Sequence, residues 1–79
     1  MNIENAFATV LRDLRTQKKV SQENLAFLSG LDRTYISLLE RAKRQPTLTS
    51  LFSISKALDM TLVEFTTVLE KKINENQSN

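Results

Sequence analysis

Arg33, Thr34, Ser37 and Leu38 are spaced so that, on a helix, they share one outward face carrying a guanidinium fork, two hydroxyls and a branched apolar group. Such a fork can donate two hydrogen bonds to N7 and O6 of a guanine, a pair worth about 1–3 kcal/mol of discrimination against the wrong base. The competing reading, an arginine lying in solvent and partly paired with Asp32, contributes less than about 1 kcal/mol. Arg33 is therefore the leading reader of a base edge, with Thr34 and Ser37 able to reach bases or phosphates and Leu38 offering a surface for a thymine methyl. Around this face stand groups suited to a sugar-phosphate strand: Gln22, Tyr35, Arg41, Lys43, Arg44, Thr47 and Ser50. Arg41, Lys43 and Arg44 follow the face closely enough in the chain to clamp a strand, and Thr47 and Ser50 add neutral donors at the next helix start. Their competing reading is an ordinary solvated basic loop. Gln22 sits in a first helical turn, where free N–H groups already favour an anion. Tyr35 can pack its ring beside the face, point its hydroxyl to a phosphate, or do both.

The elements that position these groups can be read from caps and periodicity. Ser21 and Asp32 each place a side-chain acceptor just before a short amphipathic run, so each is expected to open a helix by meeting an orphan backbone N–H. The first spans 22–28 and the second 33–41. Gly30, the only glycine in the chain, closes the first in a left-handed conformation that a Cβ would oppose. Leu25 and Ala26, Leu31 at the turn, and Ile36 with Leu39 supply the apolar side. Two short helices hinged in this way form a helix-turn-helix. Upstream, Phe7, Val10, Leu11 and Leu14 fall at i, i+3, i+4, i+7 and predict a helix over 4–18, flanked by Arg12 and Arg15. Downstream, Thr47 caps a fourth helix that buries Leu48, Leu51, Ile54 and Leu58 and stops near Asp59. Thr61 and Glu64 form a capping box that launches a fifth through Leu62, Phe65 and Leu69 to residue 73. Pro46 pushes its predecessor out of helical geometry and keeps 42–46 a loop. Residues 1–73 thus read as one all-α domain, and 74–79 as a polar tail.

The string Ser21-Gln22-Glu23-Asn24-Leu25-Ala26, then Gly30-Leu31, Asp32-Arg33-Thr34-Tyr35-Ile36-Ser37, Glu40-Arg41 and Pro46 resembles the Xre or Cro/CI class of helix-turn-helix proteins. The resemblance covers roughly residues 8–65. It implies a compact five-helix, phage-repressor-like DNA-binding domain in which Glu40 pairs with Arg15 and locks the first helix to the recognition helix. Within the class, the Asp32 to Ser37 string is most similar to the controller proteins of restriction-modification systems. That branch implies regulation of the protein's own gene and of an endonuclease gene, activating at one occupancy and repressing at a higher one. A phage-type repressor or an antitoxin-type autoregulator would use the same fold. The chain departs from the class pattern at Ser29, usually apolar, at Leu38, often glycine in controllers, and at Ala42, often the helix-ending glycine.

Composition supports a small binding module. Seventy-nine residues with no cysteine build one modest core without disulfide or thiolate metal site, and such a domain commonly gains stability by dimerising. The net charge is only +2, yet residues 12–44 carry eight Lys/Arg against four Asp/Glu, concentrating positive charge on the helix-turn-helix half. One recognition helix reads too few bases, so a homodimer on a pseudo-palindromic double-stranded site, its two helices about 34 Å apart, is expected. Phe52, Val63 and Val68 lie off the inward stripes and could form the self-complementary patch, with Phe65 and Leu69 shared with the core, although some of these could simply complete the monomer. Histidine and cysteine are both absent and the acids are scattered, which leaves no nucleophile-base pair and no metal cluster, so catalysis, metals and cofactors are not expected. No apolar run approaches 18 residues and the start of the chain lacks the pattern of a secretory leader, which points to a cytoplasmic, nucleoid-associated protein without a membrane or small-molecule effector. The rival from another class is a helical protein-interaction module that does not bind DNA; it predicts little salt dependence, whereas phosphate neutralisation predicts a steep one.

Overall fold

The computed structural model describes residues 2–77, which form five helices and, among the described residues, no strand: α1 Ile3–Gln17, α2 Gln22–Ser29, α3 Arg33–Glu40, α4 Leu48–Ala57 and α5 Leu62–Gln77. Their starts follow from side chains that accept the first free amides. Asn2 takes the amide of Asn5, Ser21 that of Asn24 and Thr47 that of Ser50. Thr61 and Glu64 close the capping box in both directions, at 3.0 and 2.8 Å. Asp32 is the exception. It precedes α3 in extended geometry but makes no capping hydrogen bond, so the expectation of a side-chain cap there is corrected.

Four of the helix ends share one geometry. Lys19, Gly30, Ala42 and Asp59 all have φ between 58 and 70°. In each case the next amide reaches back five residues: Val20 to Arg15, Leu31 to Ala26, Lys43 to Leu38 and Met60 to Ser55. Only one of the four left-handed positions is glycine. Ala42 therefore adopts the turn its class commonly assigns to glycine, at the steric cost of a Cβ.

The core joins Phe7, Val10, Leu11 and Leu14 of α1 to Leu25 and Ala26 of α2, Ile36 and Leu39 of α3, Ile54 of α4 and Phe65 of α5. The rings of Phe7 and Phe65 meet at 5.8 Å with a 42° tilt, which fastens α5 to α1. α2 packs on α3 and α4, while α1 supports α3 from the other side. One burial expectation and one helix boundary need correction. Leu48 is 76% exposed, because on the α4 wheel it lies toward Phe52, off the stripe of Leu51, Ile54 and Leu58. The fifth helix also runs past residue 73 to Gln77, with 78–79 outside the described residues. Lys71, Lys72 and Glu75 line a groove against Val10, Asp13, Leu14 and Gln17, so α1 gives the added turn a surface to lie along.

Candidate nucleic-acid interface

The inner side of α3 is held by one buried carboxylate. Glu40, its side chain 1% exposed, accepts from Arg15 Nε at 2.6 Å and Nη2 at 3.0 Å, and from Gln22 Nε2 at 3.1 Å. Arg15 spends its remaining fork on the carbonyl of Val20 at 2.9 Å. Three helices are thereby tied at one point, as the pairing implied by resemblance required, and Gln22 is an added member. The two-pronged guanidinium-carboxylate contact is charge-assisted and directional, and each oxygen of Glu40 has a donor. The hydrogen bond to Glu40 holds the Arg15 guanidinium above its ordinary pKa against the opposing effect of burial. A raised cation contributes its stability at all pH values below its ordinary pKa and loses it only as pH climbs through the raised one, so the pair is insensitive to pH near neutrality.

Opposite this anchor, Arg33 and Thr34 are exposed, and neither makes a side-chain hydrogen bond or ion pair among the described residues. Ser37 is half-buried, its carbonyl accepting from Arg41 Nε at 3.3 Å, which draws the Arg41 side chain back along the helix. Leu38 is also half-buried and lines an open cleft with Leu31, Thr34, Tyr35 and Arg44. The Tyr35 hydroxyl donates to the carbonyl of Gln45 at 3.3 Å and lies 3.5 Å from Ser50 Oγ. The Arg44 guanidinium stands 5.8 Å from the Tyr35 ring centroid, and Thr47 Oγ1 meets Ser50 Oγ at 2.9 Å. Thus Tyr35, Arg44, Thr47 and Ser50 form one linked polar group beside the recognition helix. Lys43 lies exposed on the adjoining turn, and Gln22 sits apart, on the Glu40 side. Gly30 occupies the hinge at φ 70°, with open space around it.

The residues expected to pair two copies divide. Phe52 and Val63 are exposed, with the Lys56 ammonium 5.3 Å from the Phe52 ring centroid. Val68 and Leu69 are half-buried against the core, and Phe65 has no exposed surface at all. Phe65 is consequently a core residue and cannot be shared with an interface, a correction that its stacking on Phe7 explains. Sequence reasoning missed three features: the exposure of Leu48, the exposed Phe27 and Leu28 on α2, and the contact of Arg12 with α3. The first was legible from the α4 wheel, where Leu48 and Phe52 stand at i, i+4. No sequence signal marked the others.

A family model described as helix-turn-helix matches residues 11–65. Control protein C.BamHI of Bacillus amyloliquefaciens is 44% identical over 71 residues, covering 85% of this chain and 88% of that protein. Control protein C.SmaI of Serratia marcescens is 40% identical over 67 residues, covering 85% and 80%. The restriction-modification controller protein C.Esp1396I, solved as a tetramer in complex with its natural 35 base-pair operator, superposes with a TM-score of 0.86 at 40% identity, covering 92% of this chain and 96% of that one. The chain belongs to the Xre-like helix-turn-helix family, among the restriction-modification controllers. It is a DNA-binding transcriptional regulator of that class. In this controller, α2 and α3 are the paired helices of the motif, with α3 in the recognition position and α1 behind it. No helix among the described residues is long and apolar enough to cross a membrane.

Proposed function

We propose that the protein binds a pseudo-palindromic operator as a homodimer, reads bases through Arg33 with Thr34, Ser37 and Leu38, and controls its own gene and a restriction endonuclease gene from the nucleoid. The observation that carries the reading is the contrast across α3: an exposed guanidinium with no hydrogen bond or ion pair among the described residues on the outer face, on a helix whose inner face is locked at Glu40. Arg41, Lys43, Arg44, Tyr35, Thr47 and Ser50 hold the phosphates on one flank, and the N-terminal turn of α2, beside Gln22, holds them on the other. The operator-bound tetramer of C.Esp1396I supports placing two dimers on one regulatory region here as well. Leu48, Phe52 and Val63 supply the exposed apolar surface that joins two copies, while half-buried Val68 lies in the groove against α1. Protein concentration is then the control variable.

The test is selection of bound sequences from a random DNA pool, run with the wild type and with Arg33→Ala. The reading requires a two-fold symmetric motif that blurs at one position per half-site in the variant. An asymmetric motif, or one unchanged by Arg33→Ala, would remove the assignment of reader and symmetry together.

A further inference from the structure

We propose that Arg12 is a positioning residue for sequence recognition, a strap from α1 that fixes the tilt of the recognition helix by holding its carboxyl end. Its Nη2 donates to the backbone carbonyl of Glu40 at 3.3 Å, and its Nε lies 3.8 Å from Glu40 Oε1. That carbonyl belongs to the last residue of α3, among those that have no partner within their own helix. Leu39 seats the end of α3 on the core along one side. On the α1 side it borders an open cleft of mixed polar and apolar lining, walled by Asn5, Ala8, Thr9 and Asp13 of α1, and Arg12 reaches across it to Glu40. The chain then leaves through the left-handed Ala42, where the Lys43 amide closes on the Leu38 carbonyl at 2.9 Å and leaves the Glu40 carbonyl to Arg12.

Leverage makes this contact matter more than its own strength. Arg33 lies seven residues from Glu40, about 10 Å along the axis, so a tilt of roughly 5° about the anchored end displaces it by about 1 Å. A preorganised site tolerates roughly 0.5 Å. Arg15 and Gln22 fix the carboxylate of Glu40, but the carbonyl, which reports the axis direction, is held by Arg12. Because the Arg12 side chain is 57% exposed, its loss is expected to shift Tm by less than about 5 °C while relaxing the aim of Arg33.

This inference rests on the operator reading, and its test separates the two. Affinities of wild type, Arg12→Ala, Arg12→Gln and Arg12→Lys are measured for the sequence recovered from the random pool and for a scrambled duplex, across a salt series. Amide exchange of residues 41–43 is followed without DNA. The expected result is a loss of operator preference of about tenfold in Arg12→Ala, the lower end of what one bidentate base contact supplies, with scrambled-duplex affinity and salt slope unchanged. Exchange at 41–43 should accelerate, and Arg12→Gln, which keeps an N–H donor, should restore part of the preference. Equal weakening on both duplexes, with the salt slope reduced by about 0.9, would make Arg12 a phosphate contact and overturn the proposal. So would a lower Tm with preference intact, or unchanged exchange at 41–43. A wild type without operator preference would instead remove the operator reading, while the exchange measurement still decides whether Arg12 holds the helix end.

Discussion

The two faces of α3 differ more than their shared eight residues suggest. Inward, Ile36 and Leu39 are fully buried and Glu40 receives donors from α1 and α2, so this face is packed and hydrogen-bonded to its neighbours. Outward, Arg33 and Thr34 are exposed and make no side-chain hydrogen bond or ion pair among the described residues. The difference teaches how a small domain can present a long, flexible side chain accurately: the backbone that carries it is over-determined from behind, and only the side chain's own torsions remain to be settled by DNA. Mutations on the two faces should therefore separate stability from recognition.

Glu40→Ala should break that division most severely. It leaves Arg15 mostly buried without its carboxylate, a change that costs about 3–5 kcal/mol when one partner of a buried pair is removed. A domain of this size commonly holds only about 5–10 kcal/mol in total. Urea denaturation should show the loss, and the double variant with Arg15→Ala should be no worse than Glu40→Ala alone, because the stranded charge is gone. If the two single losses add, the pair is not a unit.

Arg33→Ala tests the opposite face. It should cost about 1–3 kcal/mol of discrimination between operator and mismatched sites, roughly 5- to 150-fold, with stability changed by less than about 0.5 kcal/mol. Competition binding against half-site variants measures the first and denaturation the second. A stability loss matching the affinity loss would mean that Arg33 supports the fold, and the contrast between faces would fail.

How much of this could be read beforehand depended on whether the signal was local. Ser21, Thr47 and the Thr61–Glu64 box marked helix starts because a cap lies within three residues of what it caps. The inward stripe of α1 was equally legible from periodicity. The ends of α1 to α4 fell within two residues of expectation, yet of the left-handed residues that close them, Lys19, Gly30, Ala42 and Asp59, only Gly30 announced its conformation. Leu48, expected inside, is exposed although the α4 wheel already set it toward Phe52, and Phe65, expected to serve both core and interface, is wholly core because α1 covers it. Arg15 and Glu40, 25 residues apart, were paired through family resemblance alone, and the Arg12 contact, 28 residues apart, was visible only once α1 and α3 were side by side.

The left-handed ends offer a smaller and sharper test. Ala42→Gly removes the Cβ penalty at φ 58° and should stabilise the protein by up to about 1 kcal/mol, net of the unfolded-state entropy that glycine adds. Gly30→Ala, at φ 70° with no neighbour within contact, should cost about 1 kcal/mol from backbone strain alone. Opposite signs in thermal denaturation would tie both effects to φ. If Ala42→Gly also sharpened operator preference, the end of α3 would be shown to influence aim as well as stability.

The smallest effect separates the starts of the two motif helices. Ser21 Oγ accepts the Asn24 amide at 3.0 Å, so Ser21→Ala should cost about 1 kcal/mol. Asp32 makes no such bond, and Asp32→Ala should forfeit only the few tenths of a kcal/mol that a carboxylate gains beside a helix N-terminus. That residue would fade in high salt, whereas the Ser21 loss would persist, because a short hydrogen bond is not screened as a surface charge is. Equal costs would mean that Asp32 closes onto α3 in solution, and the recognition helix would then be fastened at both ends instead of chiefly at Glu40.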